Sequence, residues 1–367
     1  NHSISIRGGS ENTKVYVSGS FMDGKGYDHG SYRKRYTLRM NLDQKLGERI
    51  TMGATTNFAY YQYYNGQSVW GTWNPLGNPY YSPGGSGLYG IGGDVTKDGD
   101  PSLGIIPYPT GETLWANHLL NFDNVDKVYK RNRLDATIYA TVKLYDGLTY
   151  RANFGTDLAV SQDLEFAASG SQEQGFGDAK AVQKRPITRG WTFENILNYA
   201  KTFNDHSINA TVVQSSQKYM DEKLEATGIG LPIESQKYYQ LQSATNQSID
   251  KTDYSQWTMM SWMGRIIYGF KDSRYMLTAS LRYDGSSRLA KGHQWVAFPS
   301  ASVAWRISDE GFLRGNEVLS NLKLRFGYGK TGNSAINPYS TIGKITPSRY
   351  TWGDNGIIGY APSSLSN

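Results

Sequence analysis

Apolar and polar residues alternate along most of the chain. Within 32–45, for example, Tyr36, Leu38, Met40 and Leu42 are separated by charged or polar side chains. Successive side chains of a β-strand point to opposite faces, so this alternation predicts a strand with one apolar and one polar face. The same pattern recurs at 3–7, 14–22, 50–61, 133–143, 148–160, 191–199, 207–214, 257–270, 275–284, 298–307 and 322–328. The sequence therefore predicts an all-β chain of about twelve strands.

The links between the predicted strands alternate in length. Short links rich in Gly, Asn, Asp and Ser predict hairpin turns at 8–12, 47–49, 146–147, 204–205 and 271–273. The links that alternate with these turns are longer, at 24–31, 64–126, 161–185, 218–254 and 285–294. A trailing loop is predicted at 330–367. All short turns then lie at one end of the sheet and all long loops at the other. This arrangement is typical of a transmembrane antiparallel up-and-down β-barrel.

The polar face of the predicted strands carries more charge than a dry protein interior accommodates, because buried cations without partners are costly. The basic residues that we expect on this face are Arg35, Arg39, Arg282, Lys323 and Arg325. In a wide barrel they would face a water-filled lumen, and the apolar rows would face lipid. A soluble β-rich domain with one solvated face is the alternative that the pattern leaves open.

Aromatic residues collect near the ends of the predicted strands. They are Tyr60, Tyr61, Tyr63, Tyr64, Tyr145, Tyr150, Trp257, Trp295, Phe298 and Trp305. Rings at both ends of membrane-spanning strands form girdles at the two lipid–water interfaces, so we expect these rings to belong to two girdles. The high strand propensity of tyrosine explains part of the total of 28 Tyr residues, but not their position at strand ends.

Composition excludes several classes of protein. No apolar run approaches the roughly 18 residues of a membrane-spanning helix, which excludes a helical membrane protein. An aromatic content of 13% with a net charge of only +6 is the reverse of the signature of disorder. The absence of cysteine excludes thiol catalysis, Cys-ligated zinc and disulfides. Basic residues are interleaved with acidic ones instead of forming one stripe, so we expect no nucleic-acid partner.

Four strings carry a family resemblance: KRYTLRMNLDQKL (34–46), LTASLRYDGSSR (277–288), FPSASVAWRISDEGF (298–312) and LSNLKLRFGYGKTGN (319–333). Their order, spacing and strand context resemble the SusC/RagA family of TonB-dependent outer-membrane transporters. The likeness extends over essentially the whole chain. Leu289 departs from the family pattern, which usually has Phe after its Ser-Ser-Arg.

The resemblance implies a fold and a function. Residues 1–367 would be part of a TonB-dependent receptor-like barrel domain of about 22 strands, with the N-terminal plug domain and further C-terminal strands lying outside this chain. The protein would lie in the bacterial outer membrane, in contact with lipid, and import an oligosaccharide or a peptide. Its partners would be a SusD-like surface lipoprotein that acts as a lid and TonB, reached through the missing N-terminal part. Neither enzymatic chemistry nor a cofactor is implied.

The loop at 64–126 is the best candidate for contact with substrate. It holds a group of aromatic side chains: Trp70, Trp73, Tyr80, Tyr81 and Tyr89. Aromatic faces stack on sugar rings or on peptide side chains. The alternative is that these rings pack the loop onto its neighbours or onto the lid.

Other motifs do not withstand inspection. The glycines at 85–90 fit the letters of a dinucleotide fingerprint, and 329–331 fit the end of a P-loop, but neither has the strand–helix context of the motif. Asp94, Asp98 and Asp100 lack the spacing of a calcium loop, and the five histidines are scattered. We therefore predict no catalytic, metal or cofactor site. A passive pore or a surface adhesin built on a similar barrel remains the alternative function.

Overall fold

The computed structural model describes residues 1–26, 31–64, 124–169, 171, 177–313, 318–352 and 355–364. Strands dominate this part of the chain, which also contains short 3₁₀ helices at Glu234–Tyr239, Leu241–Ser243 and Ile307–Asp309. The strands are β1 (His2–Gly9), β2 (Thr13–Lys25), β3 (Tyr32–Leu46), β4 (Ile50–Tyr64), β5 (Val125–Tyr145), β6 (Leu148–Ala167), β7 (Lys180–Lys184), β8 (Ile187–Phe203), β9 (His206–Ile229), β10 (Asn246–Phe270), β11 (Tyr275–Ser286), β12 (Trp295–Arg306), β13 (Lys323–Gly329), β14 (Lys344–Trp352) and β15 (Asn355–Ser364).

One antiparallel sheet contains β1 to β13, and apart from β7 and β8 each strand pairs with its neighbours in the chain. The strands β7 and β8 share one position between β6 and β9, so thirteen strands fill twelve positions. The break falls at Pro186, which has no N–H to give to the ladder. The all-β, up-and-down arrangement predicted from the alternation is confirmed.

The apolar rows of the sheet are exposed. Register pairing carries one such row across the sheet from Leu42 through Ala54 and Ile138 to Phe154. Met40 is 47% exposed, and Ile138 is 58% exposed. Large apolar side chains in water would be unfavourable by about 25 cal/mol per Å². We call this apolar surface the outer face, and the opposite, polar surface the inner face.

Strands of the central part of the sheet continue farther at the long-loop end than the sequence predicted. The strand β9 reaches Ile229 and β10 begins at Asn246, although 218–254 was predicted to be a loop. Likewise, β6 runs to Ala167 and β7 begins at Lys180, within the predicted loop 161–185. The alternation stops there because the outer face of these extensions is no longer a uniform apolar surface.

A small buried core lies on these extensions. The link between β9 and β10 folds back over the outer face with its two 3₁₀ helices, and we call residues 231–244 the cap segment. Its residues pack against the strands below, and the buried cluster consists of Val128, Leu164, Phe166, Ala168, Ala179, Ala181, Leu231, Tyr238 and Ala244. Lys237 of the cap segment pairs with Asp126 of β5. Burial raises the pKa of the Tyr238 hydroxyl above its usual value.

At the opposite end of the sheet, the link between β12 and β13 is held by one carboxylate. Glu310 accepts hydrogen bonds from the Tyr275 hydroxyl at 2.5 Å and from the Trp305 indole at 2.9 Å, and it pairs with Arg274 at 3.1 Å. These donors hold the pKa of Glu310 below its usual value. The link is longer than the other turns at this end, so the strict alternation of short and long links fails here.

Two further expectations need correction. The predicted girdle is divided between the faces, because register places Tyr61, Tyr63, Trp257 and Phe298 on the inner face and Tyr60, Tyr64, Tyr150, Trp295 and Trp305 on the outer face. The trailing segment 330–367 was predicted to be a loop, but β14 and β15 form an antiparallel hairpin within it.

Among the described residues, no helix combines the length and the apolar character needed to cross a membrane.

Candidate functional site

The inner face is the candidate functional surface, because it holds ion pairs and aromatic rings side by side. Arg133 bonds Asp157 at 2.8 Å and Asp135 at 3.2 Å, which links β5 to β6. Farther along the sheet, Arg282 bonds Asp284 at 2.7 Å. These side chains are partly exposed, so the pairs organise a wet surface without contributing much to stability.

A group of aromatic and charged residues lies on the inner face where β3 to β6 approach the long-loop end. We call it the rim cluster, and it consists of Arg35, Tyr61, Tyr63, Tyr129, Arg131 and Asp163. The rings of Tyr63 and Tyr129 stack with centroids 4.7 Å apart, and the Arg35 guanidinium lies 5.2 Å from the Tyr61 centroid. Arg131 pairs with Asp163. The cluster offers fixed aromatic faces next to charged hydrogen-bonding groups.

A second group, which we call the inner platform, consists of Tyr219 on β9, Trp257 on β10 and Arg288 after β11. The rings of Tyr219 and Trp257 stack with centroids 5.6 Å apart, and the Arg288 guanidinium lies 4.0 Å from the Trp257 centroid. Tyr219 lies across Gly190, where a Cβ atom would be 3.2 Å from the ring. Because Gly190 has no side chain, the ring of Tyr219 can pack directly against the sheet.

A glycine also receives a ring nearer the short-turn end of the inner face. Tyr139 covers Gly53 so closely that a Cβ atom on that glycine would be 2.5 Å from the ring. The hydroxyl of Tyr139 donates a hydrogen bond to Asp43, and the Arg151 guanidinium lies 3.9 Å from the Tyr139 centroid. This contact joins β3, β4, β5 and β6 into one register.

The five basic residues that were predicted to face a lumen all lie on the inner face, as their register partners show. Arg35 belongs to the rim cluster, and Arg282 also donates to the Ser261 hydroxyl at 3.1 Å. The Lys323 ammonium lies 3.5 Å from the Met276 sulfur. Arg39 and Arg325 are exposed. The structure therefore places Arg35 and Arg39 together on β3, and Lys323 and Arg325 together on β13, on distant parts of the sheet.

The predicted substrate-contact residues lie outside the described residues. This holds for all of Trp70, Trp73, Tyr80, Tyr81 and Tyr89, so their role stays a prediction.

The sequence reasoning missed the inner platform. Alternation along β10 places Trp257 on the same face as Ser261, and this signal was available. Alternation alone does not predict that Trp257 lies opposite Tyr219. That pairing depends on the register between β9 and β10, which is set by a connection far in sequence from both rings.

The inner face is suited to binding a polar ligand through stacking and hydrogen bonds. Within the described part of the chain, no group of three His, Asp or Glu side chains could hold a metal ion. Aromatic faces beside guanidinium and carboxylate groups bind sugar rings and peptides without covalent chemistry.

Comparison with known proteins places the chain among outer-membrane receptors. No protein-family profile matches it. "TonB-dependent receptor P26" of Formosa agariphila is 30% identical over 366 residues, which are 97% of this chain and 35% of that protein. "TonB-dependent receptor P3" of the same organism is 27% identical over 100% of this chain and 36% of that protein. "TonB-dependent receptor SusC" of Bacteroides thetaiotaomicron is 46% identical over 79 residues, which are 22% of this chain and 8% of that protein.

A solved structure with the same fold is described as the "RagAB peptide transporter". It matches 100% of this chain and 40% of its own chain with a TM-score of 0.81 and 22% identity. The likeness shows that the antiparallel sheet of this chain has the fold of the matching part of that transporter. The chain spans about a third of the length of the curated relatives that match it along its whole length. Those relatives bear the names of receptors and not of enzymes.

Proposed function

Because this chain belongs to the SusC/RagA type of TonB-dependent outer-membrane receptor, we propose that it forms part of the barrel wall of an active importer of large nutrients. The observation that carries the proposal is the separation of faces: exposed apolar rows outside, and a charged, aromatic surface inside. The wall supplies a lipid contact and a wet passage, and the inner face supplies contacts for a polar substrate.

The substrate of the proposed importer is an oligosaccharide or a peptide. A porin passes only small solutes, whereas a wide barrel with tall loops encloses a larger ligand. The stacked rings of the rim cluster and of the inner platform support both classes, since sugar rings and peptide side chains stack on aromatic faces.

The complete transporter would contain more than this chain. We propose that an N-terminal plug domain, a TonB-contacting segment and further C-terminal strands complete it, and that a SusD-like lipoprotein covers the long-loop end. SusC and the RagAB transporter, among the proteins that this chain resembles, support these partners.

Energised uptake tests the proposal. Cells that express the complete transporter should accumulate a labelled oligosaccharide or peptide, and accumulation should stop when TonB is deleted or the proton gradient is collapsed. A point substitution in the TonB-contacting segment is the matched control, because it preserves the barrel. Uptake that continues without TonB would instead indicate a passive pore, and binding to host surfaces without uptake would indicate an adhesin.

We further propose that the loop aromatics Trp70 and Trp73 contact substrate. Changing both to Ala in the complete transporter should weaken substrate binding by about tenfold or more, since each stacked ring contributes about 1 kcal/mol. Isothermal titration of the purified transporter measures this. An unchanged affinity with normal assembly would favour the alternative, in which these rings only pack the loop.

A further inference from the structure

A chain of hydrogen-bonded polar side chains crosses the outer face at β6, β8 and β9. The Tyr150 hydroxyl donates to Asn195 Oδ1 at 2.5 Å, Asn195 Nδ2 donates to Gln214 Oε1 at 2.7 Å, and Gln214 Nε2 donates to Ser216 Oγ at 2.8 Å. We call these four residues the polar ladder. Polar groups are expensive on a lipid-facing surface, so a ladder of them there requires an explanation.

The polar ladder lies among lipid-facing side chains. Asn195 is two residues from Leu197, which is 40% exposed, so both side chains point to the same face of β8. Likewise, Gln214 points to the same face of β9 as Val212, which is 51% exposed. Directly across from Gln214 is Trp262 of β10, which is 50% exposed. The ladder is therefore on the outer face and not in the lumen.

The members of the ladder lie at different distances from the short-turn end: Tyr150 is two residues beyond Leu148, the first residue of β6, and Gln214 lies farther along its own strand. Gln214 is eight residues beyond His206, the first residue of β9. At about 3.3 Å per residue and a strand tilt of about 40°, it lies about 20 Å above that end, in a band about 25 Å tall. The Gln214 end of the ladder is therefore on the side of the band where acyl chains give way to their linkage groups.

Along β9, the side chains of the outer face change from apolar to polar to charged, which is also the order of the chemical groups along a membrane lipid. From the short-turn end it presents apolar Ile208, Ala210 and Val212, then Gln214 and Ser216, and then the cation Lys218. Acyl chains, a polar linkage and a phosphate follow one another in the same order in a membrane lipid. By contrast, the outer face of β11 presents apolar or aromatic residues at Tyr275, Leu277, Ala279, Leu281 and Tyr283.

An apolar groove adjoins the ladder. It has a volume of about 420 Å³, and its floor is made of Ala54, Ala140 and Ala152, between walls that include Ile138 and Phe154. Ala152 pairs directly with Asn195, so the groove ends at the ladder. Because the groove opens on the lipid-facing surface, an acyl chain is what surrounds and fills it.

We propose that the polar ladder and this groove bind one membrane lipid that carries an amide or hydroxyl group at the junction of its acyl chains and a phosphate headgroup. Among the described residues, Asn195 and Gln214 each use one of two amide protons, and the Ser216 hydroxyl is used only as an acceptor. The free protons bond the linkage oxygens, and Lys218 faces the phosphate. Each added hydrogen bond in a membrane favours binding about threefold.

Competition between two probe lipids tests the site. Ceramide-1-phosphate and phosphatidic acid share a phosphate headgroup, and only the former has an amide and a hydroxyl at the junction. Native mass spectrometry of the delipidated complete transporter, offered equal amounts with matched chains, should show ceramide-1-phosphate retained about threefold to tenfold more.

Two variants and a control locate the effect. Asn195→Leu combined with Gln214→Leu should abolish the preference, and Lys218→Gln should weaken both lipids equally. Asn198→Leu is the matched control, because Asn198 lies on the inner face of the same strand and bonds Asn209 and Thr211 there. Equal retention of the two lipids by the unaltered protein, or a preference that survives the double change, would overturn the proposal. Dissociation of a dimer by the double change, without any lipid preference, would also overturn it and assign the ladder to contact between copies.

Discussion

A complete transporter with Met40→Arg is expected to lose about 2–4 kcal/mol of folding stability, because a guanidinium near the middle of the bilayer loses its hydration. Met40 lies on the outer face of β3, 47% exposed, between Leu38 and Leu42. The urea midpoint of the transporter folded into lipid vesicles should fall, and so should the fraction that resists SDS at room temperature.

Asn41→Arg is the control for Met40→Arg, since the next residue on the strand points to the inner face. The control should stay within about 0.5 kcal/mol of the unaltered transporter, as surface substitutions usually do. If the two variants lost equal stability, the assignment of the faces, and with it the barrel interpretation, would be wrong.

Gly53→Val is expected to cost about 1–3 kcal/mol for a different reason, which is overpacking. The new side chain would enter the space of the Tyr139 ring, only 2.5 Å from the Cβ position. Tyr139 cannot move freely because Asp43 accepts its hydroxyl proton and Arg151 lies 3.9 Å from its ring centroid. The urea midpoint and the yield of assembled barrel should both decrease.

Gly264→Val is the matched control for Gly53→Val, because nothing lies within 4 Å of the Cβ position at Gly264. Removing the ring should relieve the clash, so Tyr139→Ala in the Gly53→Val background should recover part of the lost stability. A Gly53→Val transporter as stable as the Gly264→Val one would show that Tyr139 yields without cost.

The order of the strands and the twelve positions of the main sheet could be predicted from the sequence because most strands contain their own signal. Alternation in 32–45 identifies both the strand and its faces, and the faces of Leu38 and Arg39 follow from parity alone. The same parity predicts that Arg35, Arg39, Arg282, Lys323 and Arg325 share one face once the strands are paired in order.

The remaining features depend on contacts between strands. The alternation of side chains within one strand does not determine these contacts. Tyr60 and Tyr61 are adjacent in sequence, so their rings point to opposite faces and cannot both belong to an outer girdle. A position near a strand end therefore does not by itself place a ring in a girdle. The cap segment was missed because its core is formed by Leu231, Tyr238 and Ala244 with residues of β5 to β7 that are distant in sequence. The hairpin of β14 and β15 was missed because its alternation is weak and interrupted by Pro347 and Pro362.

The core beneath the cap segment has a practical consequence for handling this protein. Its apolar contacts are made between protein groups and not with lipid, so detergent extraction, which replaces the lipid, leaves them in place. Antibodies raised against cells should therefore still recognise shape-dependent epitopes around Ile233 and Tyr239 after solubilisation, since both side chains are exposed. Such antibodies would serve to capture and orient the molecule for imaging.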